Sequence, residues 1–187
     1  MANSVIPIFV VYMGGCCGDL LTSILDWSGS AFNNETGTMI LPRDRQGFKK
    51  PHMFGSDKSR DRYVAEAGAK YTSLPSHDIE YHVRRQHKFI GIAVRDADTA
   101  VWAATRFREC HRPQVWDEVQ HIHNISSTAE YAQLIMDYSQ MIQQRTNQIV
   151  WLEDIVRGTV DAQLQTWGYQ VDVAQYHAWL NMTNHYE

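Results

Sequence analysis

Cysteine is scarce in this 187-residue chain and poorly placed for cross-linking: Cys16 and Cys17 are adjacent, and Cys110 stands alone. Neighbouring cysteines rarely bridge each other, because of disulfide geometry. No disulfide framework is implied, and a reducing, cytoplasmic setting is the default expectation. A second, spaced pair that would complete a thiolate metal site is missing too, so no metal is expected. No apolar run approaches the ~18 residues needed to span a bilayer, so no membrane partner is expected. The short apolar run at the N-terminus lacks a preceding basic segment and reads as a first strand rather than a signal peptide. Excess positive charge is also lacking: Lys and Arg number 17 against 21 Asp and Glu, for a formal charge of −4. That balance argues against a generic nucleic-acid binder and leaves only a local basic face open. Low-complexity tracts and internal repeats are absent.

What remains is ordinary globular composition, 44% apolar and 20% charged, which excludes global disorder. The length fits a single domain over 1–187, with an irregular insert at about 28–68 where Gly, Pro and Asn punctuate the chain. Basic residues gather in that insert (Arg43, Arg45, Lys49, Lys50, Lys58, Arg60, Arg62), interleaved with Asp44, Asp57 and Asp61. A solvated surface loop or an anion-binding flap would both suit them.

The most informative stretch is Val5 to Leu25, VIPIFVVYMGGCCGDLLTSIL. β-Branched and aromatic residues run to Tyr12, glycines follow at 14, 15 and 18, and apolar residues then recur at Leu20, Leu21, Ile24 and Leu25. The period changes from strand to helix within six residues. A strand entering a helix through a glycine-rich turn aims backbone N–H groups and a helix N-terminus at one spot, which suits an anion. The motif is incomplete, because Asp19 and Leu20 stand where a Walker loop has Lys and then Ser or Thr. A carboxylate in the first turn favours the helix dipole but repels a phosphate. A tight, capped strand–helix connection and a phosphate cradle therefore both fit Gly14, Gly15, Cys16, Cys17 and Gly18.

Further along, a short helix is expected within Asp57–Ala69, a strand over Lys70–Leu74 closed by Pro75, and a helix from Ser76–Asp78 to Arg85. Lys88–Val94 (KFIGIAV) reads as a buried strand. It runs into Arg95–Asp96 and a helix with apolar positions at Ala97, Ala100, Val101, Ala104 and Phe107. Pro113–Ile125 is ambiguous; if it were a strand, His121 and His123 would share a face and could bind a metal, although no third ligand accompanies them. Ser127 to Glu130 has capping-box spacing and opens an amphipathic helix. Gln148–Leu152 reads as a strand ending at Glu153–Asp154, followed by helices over Thr159–Trp167 and Asp172–Met182. Alternating strands and helices predict an α/β fold with a parallel sheet of about four strands and helices on both faces. Ligands of such sheets bind at the carboxyl ends of the strands. That rim gathers the Gly14 turn, Pro75–Ser76–His77, Arg95 and Glu153–Asp154.

Taken in order, these segments resemble the P-loop sulfotransferase family. The first strand and Gly14–Gly18 stand where that family binds the 5′-phosphosulfate of 3′-phosphoadenosine 5′-phosphosulfate. Tyr71-Thr72-Ser73-Leu74-Pro75 is similar to its Thr-His-Leu-Pro segment. Ile92-Ala93-Val94-Arg95-Asp96-Ala97-Asp98 resembles its strand ending in Arg-(Asp/Asn)-Pro-x-Asp, and Trp151-Leu152-Glu153-Asp154 its late Tyr-Glu-Asp-Leu. The resemblance implies a reduced, divergent member with a three-layer P-loop-type fold. It implies nucleotide binding by residues 14–18, a 3′-phosphate clamp at Arg95 and a nearby hydroxyl at Thr105, since the family's serine position is Ala103. The family's histidine position is Ser73, which makes His77 the candidate catalytic base. A base for the acceptor hydroxyl and positive groups around the oxygens in flight are what sulfuryl transfer needs. The acceptor, a small molecule or a protein, is not legible, nor is the oligomeric state.

The residues sustain a second expectation from a different class: a non-catalytic binding or interaction module that keeps the fold, of the kind a small virus-encoded accessory protein would use. Asp19 and Ala103 favour it, whereas His77 and Arg95 favour the transferase. Arg95 could equally form a salt bridge with Asp96 or Asp98, and Glu153 and Asp154 could pair with a basic residue or cap a helix. Arg84, Arg85, His87 and Lys88 make a basic cluster that suits a solvated helix end better than a nucleic-acid surface. A nucleotide kinase or NTPase is disfavoured, since the Walker lysine and its hydroxyl neighbour are both missing.

Overall fold

The computed structural model describes residues 7–25, 32–33, 38–39, 56–68, 73–171, 173–174 and 176–177. The Arg43–Lys50 basic residues, most of the Asp172–Met182 helix and the side chain of Asp19 lie outside the described residues. Four strands, β1 (Ile8–Val11), β4 (Ser73–Ser76), β5 (Phe89–Ala93) and β6 (Ile149–Trp151), form one all-parallel sheet in the order β4-β1-β5-β6. A separate antiparallel pair joins β2 (Phe32–Asn33) to β3 (Thr38–Met39). β1 is therefore an inner strand, with Val10 in register with Pro75 on one side and Ile90 on the other. Pro75 lies inside β4, not after it. An edge strand tolerates a residue without an N–H, so the proline does not end the strand.

The strands are near-continuous apolar runs because both of their faces are covered. Val10, Ile90, Ile92 and Val150 point into one buried cluster. That cluster holds Leu20, Leu21 and Ile24 of α1 (Gly18–Ile24), Ala100, Ala104 and Phe107 of α4 (Ala97–Cys110), and Ile155 and Leu164 of α7 (Leu152–Arg157) and α8 (Val160–Thr166). Phe9, Val11, Phe89 and Ala93 point into a second cluster, with Ala67 of α2 (Asp57–Gly68), Ile79 and Tyr81 of α3 (Ile79–Arg84) and Ile142 of α6 (Thr128–Arg145). Gly91 is glycine because α6 crosses it closely: a Cβ there would lie 2.2 Å from Ile142 Cγ2. Deeper along α6, the Ser139 hydroxyl accepts the Val94 N–H at 3.1 Å and donates to the Ile135 carbonyl, tying the end of β5 to the helix.

Caps set the helix starts. Asp78, Asp96 and Ser127 each accept an N–H three residues on, at Tyr81, Thr99 and Glu130. The ambiguous Pro113–Ile125 segment is a helix, α5 (Pro113–His123), with proline at its start and Asn124 in the left-handed conformation at its end. His121 and His123 are both exposed on that helix, where residues two apart do not share a face. That removes the basis for the strand-face metal pair.

α2 and α3 are clamped together by charge. Arg84 pairs with Asp57 (3.0 Å), Arg85 with Asp61, and Arg60 with Asp78, while the Tyr81 hydroxyl donates to Asp61 at 2.9 Å. Arg60, Arg84 and Arg85 are thus spent on acidic partners across this contact, while Arg62 pairs with Glu66 within α2 at 2.8 Å. No helix among the described residues is long and apolar enough to cross a membrane.

Candidate functional site

The glycine turn leaves β1 at Tyr12 and closes with the Cys16 N–H donating to the Met13 carbonyl at 3.1 Å. Its glycines are required by what presses on them. A Cβ on Gly15 would lie 2.2 Å from the Ala103 carbonyl oxygen of α4, and Gly15 has φ +91°, where side chains are strained. At Gly14 a Cβ would meet the Phe107 ring at 2.5 Å, and at Gly18 the Tyr12 ring at 2.0 Å. The Tyr131 hydroxyl donates to the Gly14 carbonyl at 3.4 Å. The turn is therefore wedged against α4, with Gly15 lying against the backbone carbonyl of Ala103 at the crossing point.

This packing supplies what the turn lacks. Arg106, two residues beyond a helical neighbour of the crossing point, places Nη1 3.7 Å from the Cys17 sulfur and its guanidinium 5.3 Å from the centre of the Trp102 ring. A loop with no basic residue of its own thus carries a guanidinium from α4. Sequence reasoning missed Arg106, although its i, i+4 spacing from Trp102 is a signal for an arginine held against an aromatic face. Thr105 is half-buried on the same helix.

Cys16 and Cys17 diverge. Cys17 is half-exposed with φ +56°, and Cys16 is fully buried. Burial, then the neighbouring Cys17 and the Glu153 carboxylate, push the Cys16 thiol well above its ordinary value, so it stays protonated. The Cys16 side chain therefore packs in the core.

Glu153 connects this turn to the arginine on the next strand. It is buried at the start of α7; its Oε1 accepts the Arg95 N–H at 2.7 Å, and its Oε2 has no hydrogen-bond partner among the described residues. The Arg95 guanidinium forms a two-pronged pair with Asp154, at 2.9 and 2.6 Å, and lies 5.0 Å from the Trp151 ring centre. Asp154, 59 residues away, is the partner in place of Asp96 or Asp98, the alternative the sequence left open for Arg95. Asp96 instead caps α4, its carboxylate held below the ordinary range by the Thr99 N–H.

His77 follows β4 directly. One ring nitrogen, Nδ1, lies 2.7 Å from the Tyr12 carbonyl, and the ring meets the Tyr12 ring edge-on at 4.6 Å. A carbonyl only accepts, so Nδ1 carries the proton in the neutral ring and the basic lone pair is on Nε2. The Tyr138 hydroxyl fixes the backbone by donating to the His77 carbonyl at 2.8 Å. His77 and the start of the glycine turn are thus held together through Tyr12. Arg106 is held to the turn at Cys17, and Arg95 to the carboxylates that end β6.

Comparison with protein-family models, curated proteins and solved structures gives no match for this chain.

Proposed function

We propose that the protein is a sulfotransferase-like nucleotide-binding domain of three-layer P-loop type, whose ligand is 3′-phosphoadenosine 5′-phosphosulfate. The observation that carries this reading is the glycine turn wedged on α4 with the Arg106 guanidinium delivered to it. The donor set fits such a group in its chemistry: two guanidinium groups, the Thr105 hydroxyl and the turn's N–H groups all suit phosphate and sulfate oxygens. Residues 14–18 and Arg106 would hold the 5′ end, and Arg95 with Thr105 the 3′-phosphate. The Asp154 pair does not exclude this role, because Arg95 is 41% exposed and exposed ion pairs contribute only about 0–1 kcal/mol. A doubly charged phosphate offers the same fork a stronger partner. When bound, the nucleotide supplies the activated sulfuryl group. His77 takes the proton of an acceptor hydroxyl or amine at Nε2, with its ring orientation fixed by Tyr12.

Calorimetric titration with 3′-phosphoadenosine 5′-phosphate tests the reading. Micromolar binding is expected. Arg106→Ala should weaken it roughly tenfold to a hundredfold, the range for losing a hydrogen bond to a charged group. Asp154→Asn should leave it unchanged or tighten it by freeing Arg95. The second reading, a non-catalytic module retaining the fold, is favoured by the way Asp154 and the buried Glu153 already satisfy Arg95. No heat at millimolar nucleotide would put that reading ahead.

A further inference from the structure

Away from the glycine turn, three side chains form a hydrogen-bonded line that the nucleotide reading does not use. Ser76, at the rim end of β4, and His82, on α3, are both fully buried. His82 Nε2 lies 2.8 Å from the Ser76 oxygen, and His82 Nδ1 lies 3.2 Å from Nδ1 of His87. His87 is half-buried at the far end, stacked on Phe9 at 4.7 Å.

The protons on this line can be placed by elimination. The Ser76 oxygen accepts the Asp78 N–H at 3.2 Å. Among the described residues, His82 Nε2 is the acceptor within reach of the Ser76 hydroxyl proton. A buried hydroxyl without an acceptor is costly, so Ser76 donates to Nε2. The His82 proton is then on Nδ1 and is given to His87 Nδ1, which leaves the His87 proton on Nε2. In this arrangement every ring nitrogen is either protonated or accepting. An added proton cannot enter His87 at Nδ1 while His82 also holds one there, because two N–H groups would face each other across 3.2 Å.

We propose that Ser76, His82 and His87 form a proton relay that reverses direction when His87 is protonated. His87 then donates from Nδ1 to His82. His82 passes its Nδ1 proton to His87 and gains the added proton at Nε2, so it stays neutral and now donates to Ser76. The Ser76 hydroxyl beside His77 turns from donor to acceptor and its own proton loses Nε2 as a partner, a cost that holds the reversal to lower pH. Burial holds His82 neutral down to about 3, and burial also lowers His87, partly opposed by Asp61. The charged groups around the pair are Asp78 and Arg60 beside His82, and Asp61 and Arg85 beside His87, with the Tyr81 ring edge-on to both. The relay stands whether or not a nucleotide binds.

Long-range 15N–1H correlation of the imidazoles distinguishes Nδ1–H, Nε2–H and doubly protonated rings. In the unmodified protein between pH 7.5 and 4.5, His87 should become doubly protonated below the ordinary histidine value. His82 should switch from Nδ1–H to Nε2–H at the same midpoint without becoming charged. In His87→Phe, which keeps a ring against Phe9, His82 should stop switching. A His82 that holds one tautomer throughout, charges together with His87, or still switches in His87→Phe would overturn the relay. The unmodified protein alone decides the matter if that variant does not fold.

Discussion

Gly15→Ala is expected to destabilise the protein by about 2–5 kcal/mol. The new Cβ would sit 2.2 Å from a backbone carbonyl, that of Ala103, which no side-chain rotation can move. Overpacking of this kind costs about 1–3 kcal/mol or more, and the positive φ adds about 1–2. For a chain of this size each kcal/mol lowers the melting temperature by roughly 2–4 °C, so a drop on the order of 10 °C should appear in a thermal melt. Gly168→Ala is the internal comparison. Gly168 shares the positive φ, at +84°, but among the described residues nothing lies within 4 Å of its would-be Cβ, so only the backbone cost of about 1–2 kcal/mol applies. If the two substitutions cost the same, the glycine turn does not lie against α4.

Acid should weaken the fold well before its carboxylates titrate. His82 binds a proton at about 6.5 in the unfolded chain but only near 3 in the folded one, because burial disfavours its charged form. Between those values the unfolded state holds the extra proton, so stability falls as pH falls. Each pH unit is worth about 1.4 kcal/mol, which gives about 2 kcal/mol lost by pH 5 and on the order of 4–5 by pH 3. His87 is lowered as well and acts in the same direction. Asp61, Asp96 and Glu130 are also held low, by Arg85, the Thr99 N–H and the Ser126 N–H, but their share is lost only below about pH 4. Denaturant midpoints between pH 7 and 5 therefore isolate the histidines. A flat profile there, or an unchanged slope in His82→Phe, would contradict the burial and pairing of this ring.

Much of the fold was legible because local signals agreed. KFIGIAV reads as a strand, Asp96 and Ser127 mark helix starts, and the switch from Val5–Tyr12 to Leu20–Leu25 marks the first crossover. α5 was not legible, because Trp116 is its buried anchor while Ile122 is 64% exposed, which blurs the apolar period. β4 slipped by a few residues because Pro75 is tolerated only by virtue of an edge position, and edge positions are not written locally.

The candidate site was legible in its parts and not in its pairings. Gly14–Gly18, His77 and Arg95 all lie at or just beyond the carboxyl ends of the strands, as the alternation of elements implies. Arg95's partnership with Asp154, Arg106's contact with Cys17 and the Ser76–His82–His87 line depend on register across the sheet and on helix docking. Of the two histidines, only His87 reads locally as part of a basic patch. Their Nδ1 atoms face each other only because α3 ends in a turn, where the His87 N–H donates to the His82 carbonyl at 3.0 Å.

Addition of 3′-phosphoadenosine 5′-phosphate to 15N-labelled protein, followed amide by amide, tests the proposed function most directly. The account predicts saturable shifts concentrated at Gly14–Gly18, at Arg95 and along α4 at Thr105 and Arg106. Unmoved spectra at millimolar nucleotide, or shifts centred on α5 or the α2–α3 clamp, would contradict it.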